Sequence, residues 1–188
     1  MLDKDSIVVA VIGSDQPGVI AAATATLTRL GCNVEEMTQS ILRHQFASIF
    51  LVNKPEGLAN RNIEQEMMTA FNAKKYRLSL VIRDFEEPKS EQASQGEPFV
   101  ISIWGRDRND IIAVFSSICA EQGINIEALR AFRIEEGQSL QVLEVSIPTS
   151  VDVRSLKSVM AQRAQSMDLN LNVQHSHIFE AIHRVRVD

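Results

Sequence analysis

Two stretches of this chain, 92 positions apart, are versions of one another. Residues 13–37 read GSDQPGVIAAATATLTRLGCNVEEM and residues 105–129 read GRDRNDIIAVFSSICAEQGINIEAL. At this offset Val8 meets Val100, Gly13 meets Gly105, Asp15 meets Asp107 and Ile20 meets Ile112. Gly31, Asn33 and Glu35 meet Gly123, Asn125 and Glu127 in the same way. Self-similarity at a fixed period means one structural unit built twice, and 188 residues leave room for two small domains. Between the copies, EEPKSEQASQGEP is polar, carries two prolines and shows no periodicity, so it reads as a linker. The expected division is 1–86, a linker at 87–97, and 98–188 with a C-terminal extension.

Each copy spells the same elements. IVVAVI is a β-branched run and predicts a strand. Ile20, Ala23, Leu27 and Leu30 recur at three- and four-residue steps, predicting a helix with one apolar face. Pro17 suits its first position and Gly31 its left-handed end. Strands are expected over about 34–42 and 46–52, then a helix on Ile63, Met67, Ala70 and Phe71, then a strand at 77–85. The second copy repeats this with strands at 100–104, near 131–134, at 140–147 and at 169–173. Its helices carry Ile111, Phe115, Ile118 and Cys119, then Leu156, Val159, Met160 and Met167. The order βαββαβ is the split-βαβ, ferredoxin-like arrangement: an α+β fold with two helices on one face of a four-stranded antiparallel sheet. Residues 7–12 do not alternate as a half-solvated strand should, so the open sheet face is expected to be covered and the chain to be an oligomer.

The loop GSDQPG can be a plain strand-to-helix turn with Asp15 or Gln16 near the N-cap. It can equally be a carboxylate site, because a helix N-terminus presents free N–H groups and Gly18 lets a ligand approach the backbone. A Walker-type phosphate cradle is excluded, since Val19-Ile20 stand where Lys-Ser/Thr would be needed. Asn33 and Asn125 each follow a helix-closing Gly-x, and an amide that donates and accepts suits a zwitterion.

Other chemistry is weakly represented. No nucleophile or acid–base set is recommended by its context, so an enzyme is not expected and no cofactor is implied. A net charge of −5 argues against direct nucleic-acid binding. No apolar run is long enough for a membrane helix, and residues 1–5 do not resemble a secretory signal. Two cysteines, Cys32 and Cys119, suggest no disulfide framework and a reducing, cytoplasmic setting. His175, His177 and His183 crowd the C-terminus, where a His-x-His metal pair is weighed against an exposed strand end, and no metal site is assigned. Residues 178–187 read as a possible added edge strand.

Loop, helix and Gly-x-Asn together resemble the ACT domain family, whose D-x-P-G-(I/V) and G-x-N-(I/V) motifs are met by Asp15, Pro17, Gly18, Val19, Gly31, Asn33 and Val34. The resemblance covers both halves, and a chain of two such domains is most similar to the glycine cleavage system transcriptional repressor group. It implies a non-catalytic regulator binding a small amino acid, glycine first, at an interface between two domains. The residues so implied are Ser14, Asp15, Gln16, Gly18, Val19, Asn33 and Val34, with Asn125 reaching across. The second copy has Asn109-Asp110 in place of Pro-Gly, and an acidic side chain there would repel a carboxylate. The implied partner is a DNA-binding regulator; a detached regulatory subunit of an amino-acid metabolic enzyme and a ligand-free scaffold are the alternatives.

Overall fold

The computed structural model describes residues 5–86, 96–134 and 137–179, which fall into two compact units, one on each side of residues 87–95. The first unit runs β1 (Ser6–Ser14), α1 (Val19–Arg29), β2 (Asn33–Leu42), β3 (Gln45–Asn53), α2 (Asn60–Ala73) and β4 (Leu78–Asp84). The second runs β5 (Gly96–Arg106), α3 (Ile111–Glu121), β6 (Asn125–Arg133), β7 (Gln138–Pro148), α4 (Val153–Ser166) and β8 (Leu169–His175). The sheets have the orders β2-β3-β1-β4 and β6-β7-β5-β8, antiparallel throughout. Both units are therefore the expected ferredoxin-like βαββαβ fold.

Strand alternation places each core. Ile7, Val9 and Val11 of β1 and Phe46, Phe50 and Val52 of β3 point to the helix side, where Leu27, Ile63, Met67 and Phe71 meet them. In the second unit Ile101, Ile103, Leu143 and Val145 meet Phe115, Cys119, Leu156 and Met160. Helix ends follow the repeat. The Cys32 amide donates to the Leu27 carbonyl and Gly31 to Thr28, both at 2.9 Å. Ile124 and Gly123 do the same to Cys119 and Ala120, at 2.9 and 3.1 Å. This double bond around a left-handed residue is what Gly31 (φ 76°) and Gly123 (φ 65°) are there to permit.

Several boundaries differ from expectation. Helix α1 starts at Val19 with Gly18 as its N-cap, so Pro17 stands two residues before the helix, outside its first turn. Strand β6 starts at Asn125, because cross-strand pairing with β7 holds residues whose mixed polarity gives no pattern. Strand β5 begins at Gly96, paired with Pro148, inside the stretch read as linker. Val159 is 53% exposed and does not belong to the α4 core face. Residues 176–179 form a helical turn instead of continuing β8 as an edge strand, and residues 180–188, with His183, lie outside the described residues. No helix among the described residues is long and apolar enough to cross a membrane.

Candidate functional site

The β1–α1 loop of the first unit is a backbone feature held open from two sides. The Asp15 amide donates to the His44 carbonyl at 2.9 Å, tying the loop to the β2–β3 turn. That turn, Arg43-His44, has positive φ at both residues (45° and 66°), the twist a two-residue hairpin needs, without the Asn-Gly that usually supplies it. On the other side the Tyr76 hydroxyl donates to the Pro17 carbonyl at 2.9 Å. A side chain at residue 18 would start 2.8 Å from that hydroxyl, and φ is +92°, so glycine is favoured here on two counts. Removing the hydroxyl tests the second anchor. Tyr76→Phe is expected to cost about 1 kcal/mol, read as a fall of roughly 4–8 °C in the melting of the first unit.

Behind the loop, α1 begins with no side-chain cap and no acidic residue in its first turn. The Val19 amide donates to the Gln16 carbonyl at 3.4 Å, and the amides that follow it in the first turn are left as partial positive charge, the requirement for a carboxylate. Asp15, Gln16, Gly18, Val19, Ile20 and Ala21 line a hollow of about 420 Å³ with Gln39 of β2 and Phe46 of β3. Gln39 and Phe46 were not legible as site residues, since only the register of β2 on β3 brings them under the loop. Ser14 ends β1 opposite Gln45, at the edge of this group.

Asn33 and Val34 lie elsewhere in the unit. They begin β2, whose other end holds the turn beside the loop, so they stand roughly 25 Å down the strand at about 3.3 Å per residue. Asn33 is exposed, and its amide nitrogen donates to the Glu35 carboxylate at 2.6 Å. Asn125 holds the matching place in the second unit, exposed at the start of β6.

The second loop is closed by its own charges. Arg108 grips Asp110 with two bonds of 2.9 Å, one to each carboxylate oxygen, and Arg133 lies 3.3 Å from Asp107. The hydrogen bond from Arg108 holds the Asp110 carboxyl below the usual carboxylate range, so a negative charge sits at the α3 N-cap position where the first unit has none. A larger hollow of about 670 Å³ lies between α3 and α4 around Val114, Ile118 and Val159. Its walls are side chains of the two helices, Glu121, Gln162 and Arg163 among them, so it presents side-chain charges and no helix N-terminus. Among the described residues no three metal-ligating side chains converge. His175 stands edge-on to Phe99 and to His177. Burial pushes the Cys32 and Cys119 thiols up, which keeps them protonated and unreactive.

Two βαββαβ units in one chain, the first with an uncapped helix start behind its β1–α1 loop, define the class of fold. The chain belongs to the ACT domain family, which matches it twice, over residues 5–82 and 97–174. A UPF0237 protein of Streptococcus mutans is 29% identical over 86 residues, 46% of this chain and 97% of its own, and so corresponds to a single unit. A crystal structure of an unknown protein from Galdieria sulphuraria shares the tandem fold with a TM-score of 0.72 at 19% identity, covering 91% of this chain and 98% of that one. A protein assigned as a glycine cleavage system transcriptional repressor superposes with a TM-score of 0.62 at 13% identity, over 90% and 95% of the two chains.

Proposed function

We propose that the first unit binds a small free amino acid at the β1–α1 loop and that the bound state is passed to a protein partner. The observation that carries this is the uncapped, acid-free N-terminus of α1 beneath Gly18. Its amides take the carboxylate. The ammonium group needs acceptors, and the carbonyl oxygens of Asn33-type amides provide them. Because Asn33 and Val34 stand at the far end of β2 within one unit, they serve a loop brought by a neighbouring domain, and Asn125 is the matching donor and acceptor from the second copy. Glycine is the first candidate ligand, and a DNA-binding regulator the first candidate partner. The likeness to a protein assigned as a glycine cleavage repressor supports that choice by analogy of fold. A ligand that joins two domains favours one packing over others, and a partner that reads the packing responds to the ligand.

The test is a thermal-shift panel of the twenty amino acids. A ligand at a hundred times its dissociation constant is expected to add roughly 2.7 kcal/mol of stability. One responder, whose effect disappears in Asn33→Ala, is the expected result. A flat panel, or a response that Asn33→Ala leaves intact, removes the assignment.

A further inference from the structure

The side of the first sheet that faces away from the helices is built as a grid. Cross-strand register puts Glu36, Leu51, Val8 and Arg83 in one row across β2, β3, β1 and β4. The next row is Thr38, Ile49, Ala10 and Val81, and the third is Ser40, Ala47, Ile12 and Ser79. None of these apolar side chains belongs to the core cluster. Ile12, Ile49 and Val81 are 56%, 51% and 60% exposed. A sheet face meant for water is polar; here the β2 column is (Glu36, Thr38, Ser40), but the two central columns, Leu51, Ile49 and Ala47 beside Val8, Ala10 and Ile12, are apolar throughout. Along β8 the equivalent column of the second unit is polar throughout, Asn170, Asn172 and Gln174, where β4 has Val81 between Ser79 and Arg83.

We propose that this face packs against the same face of a second copy of the chain, about a two-fold axis running along the strands between β1 and β3. Rotation about such an axis exchanges the columns within each row. Glu36 of one copy then lies over Arg83 of the other, and Arg83 over Glu36, so two ion pairs close the two edges. Neither side chain has an ion-pair partner among the described residues. They sit roughly 14 Å apart on one sheet at about 4.8 Å per strand, too far to pair within a copy. The same rotation sets large side chains on small ones, Ile49 over Ala10 and Ile12 over Ala47, and places Leu51 over Val8. Thr38 and Val81 meet, and Ser40 meets Ser79. Aligned face-to-face sheets about 10 Å apart accept this kind of interdigitation. An isologous contact must be self-complementary in this sense, residue i against j and j against i. Charge and size satisfy that condition together.

Charge reversal tests it on the full chain by sedimentation velocity over a concentration series. Glu36→Arg and Arg83→Glu are each expected to weaken a self-association step at least about tenfold, because each places like charges over one another twice. The double variant restores both pairs with opposite polarity and is expected to return to within about threefold of the parent. Ile49→Asp is expected to abolish the step, with an unchanged far-ultraviolet spectrum showing that the fold persists. A chain that sediments as a monomer at every concentration overturns the proposal. So does association indifferent to both single reversals. A double variant no better than the singles also overturns it, because the face would then be covered by something other than itself.

Discussion

Gly18→Asp is expected to abolish amino-acid binding while leaving the first unit folded. Aspartate is among the side chains best tolerated at positive φ, and the close contact is with the Tyr76 hydroxyl, the far end of a side chain that can shift, so the first unit is expected to remain folded. The ligand meets a different situation. A carboxylate at residue 18 stands beside the helix amides and repels the carboxylate that they would have held. The roughly 2.7 kcal/mol of stabilisation expected at a hundredfold excess over the dissociation constant should vanish. Gly18→Asn separates the causes, since it has the same shape without the charge. Binding that is weakened in Asn but absent in Asp identifies charge as the deciding factor, and equal loss in both identifies bulk. The second unit carries an aspartate at the matching position, Asp110, whose carboxylate accepts from Arg108 and caps no helix amide. If titration calorimetry shows the parent ligand bound equally well by Gly18→Asp, the loop is not the site.

The largest loss of stability is expected from Phe50→Ala. Phe50 is fully buried on β3, between the strands and both helices of the first unit. Truncating such a side chain removes its transfer free energy and leaves a cavity that close-packed neighbours only partly fill, at about 3–5 kcal/mol. For a unit of this size each kcal/mol lowers the melting temperature by roughly 4–8 °C, so the first unit should melt at least 12 °C lower, or fail to fold at growth temperature. Chemical denaturation gives the check: the midpoint should fall with the slope unchanged. A loss below 1 kcal/mol would mean that the core is not assembled around Phe50.

Much of this architecture was legible because the signals are redundant. The repeat, the helical spacing of Ile63, Met67 and Phe71, and the closing glycines Gly31 and Gly123 each point to the same element order. The misreadings share a physical cause. Strand β6 carries Glu127, Arg130 and Arg133 among its apolar residues, and pairing with β7, not composition, makes it a strand. Pro17 fits a first helical position by its fixed φ, yet the helix waits for Gly18, whose left-handed backbone turns the chain into it. In the site, local motif residues Asp15, Gln16, Gly18 and Val19 do line one hollow, while Gln39, Phe46 and the Tyr76 anchor come from distant sequence. Proximity of that kind is a property of register. The grid on the open sheet face is illegible for the same reason, because a row becomes visible only when four strands are aligned.

The position of β1 and β5 in the middle of their sheets has a consequence for how the chain is made. Each of these strands pairs on one side with the last strand of its own unit, Ile7 with Asp84 and Phe99 with His175. Loop closure over such separations is slow compared with forming a hairpin. On the ribosome the first strand of each unit therefore emerges early and stays half-paired until its last strand follows. The apolar runs 7–12 and 99–104 are the segments exposed to wrong partners during those intervals, so slowing synthesis between β1 and β4, or between β5 and β8, should raise the aggregated fraction more than slowing it between Asp84 and Gly96.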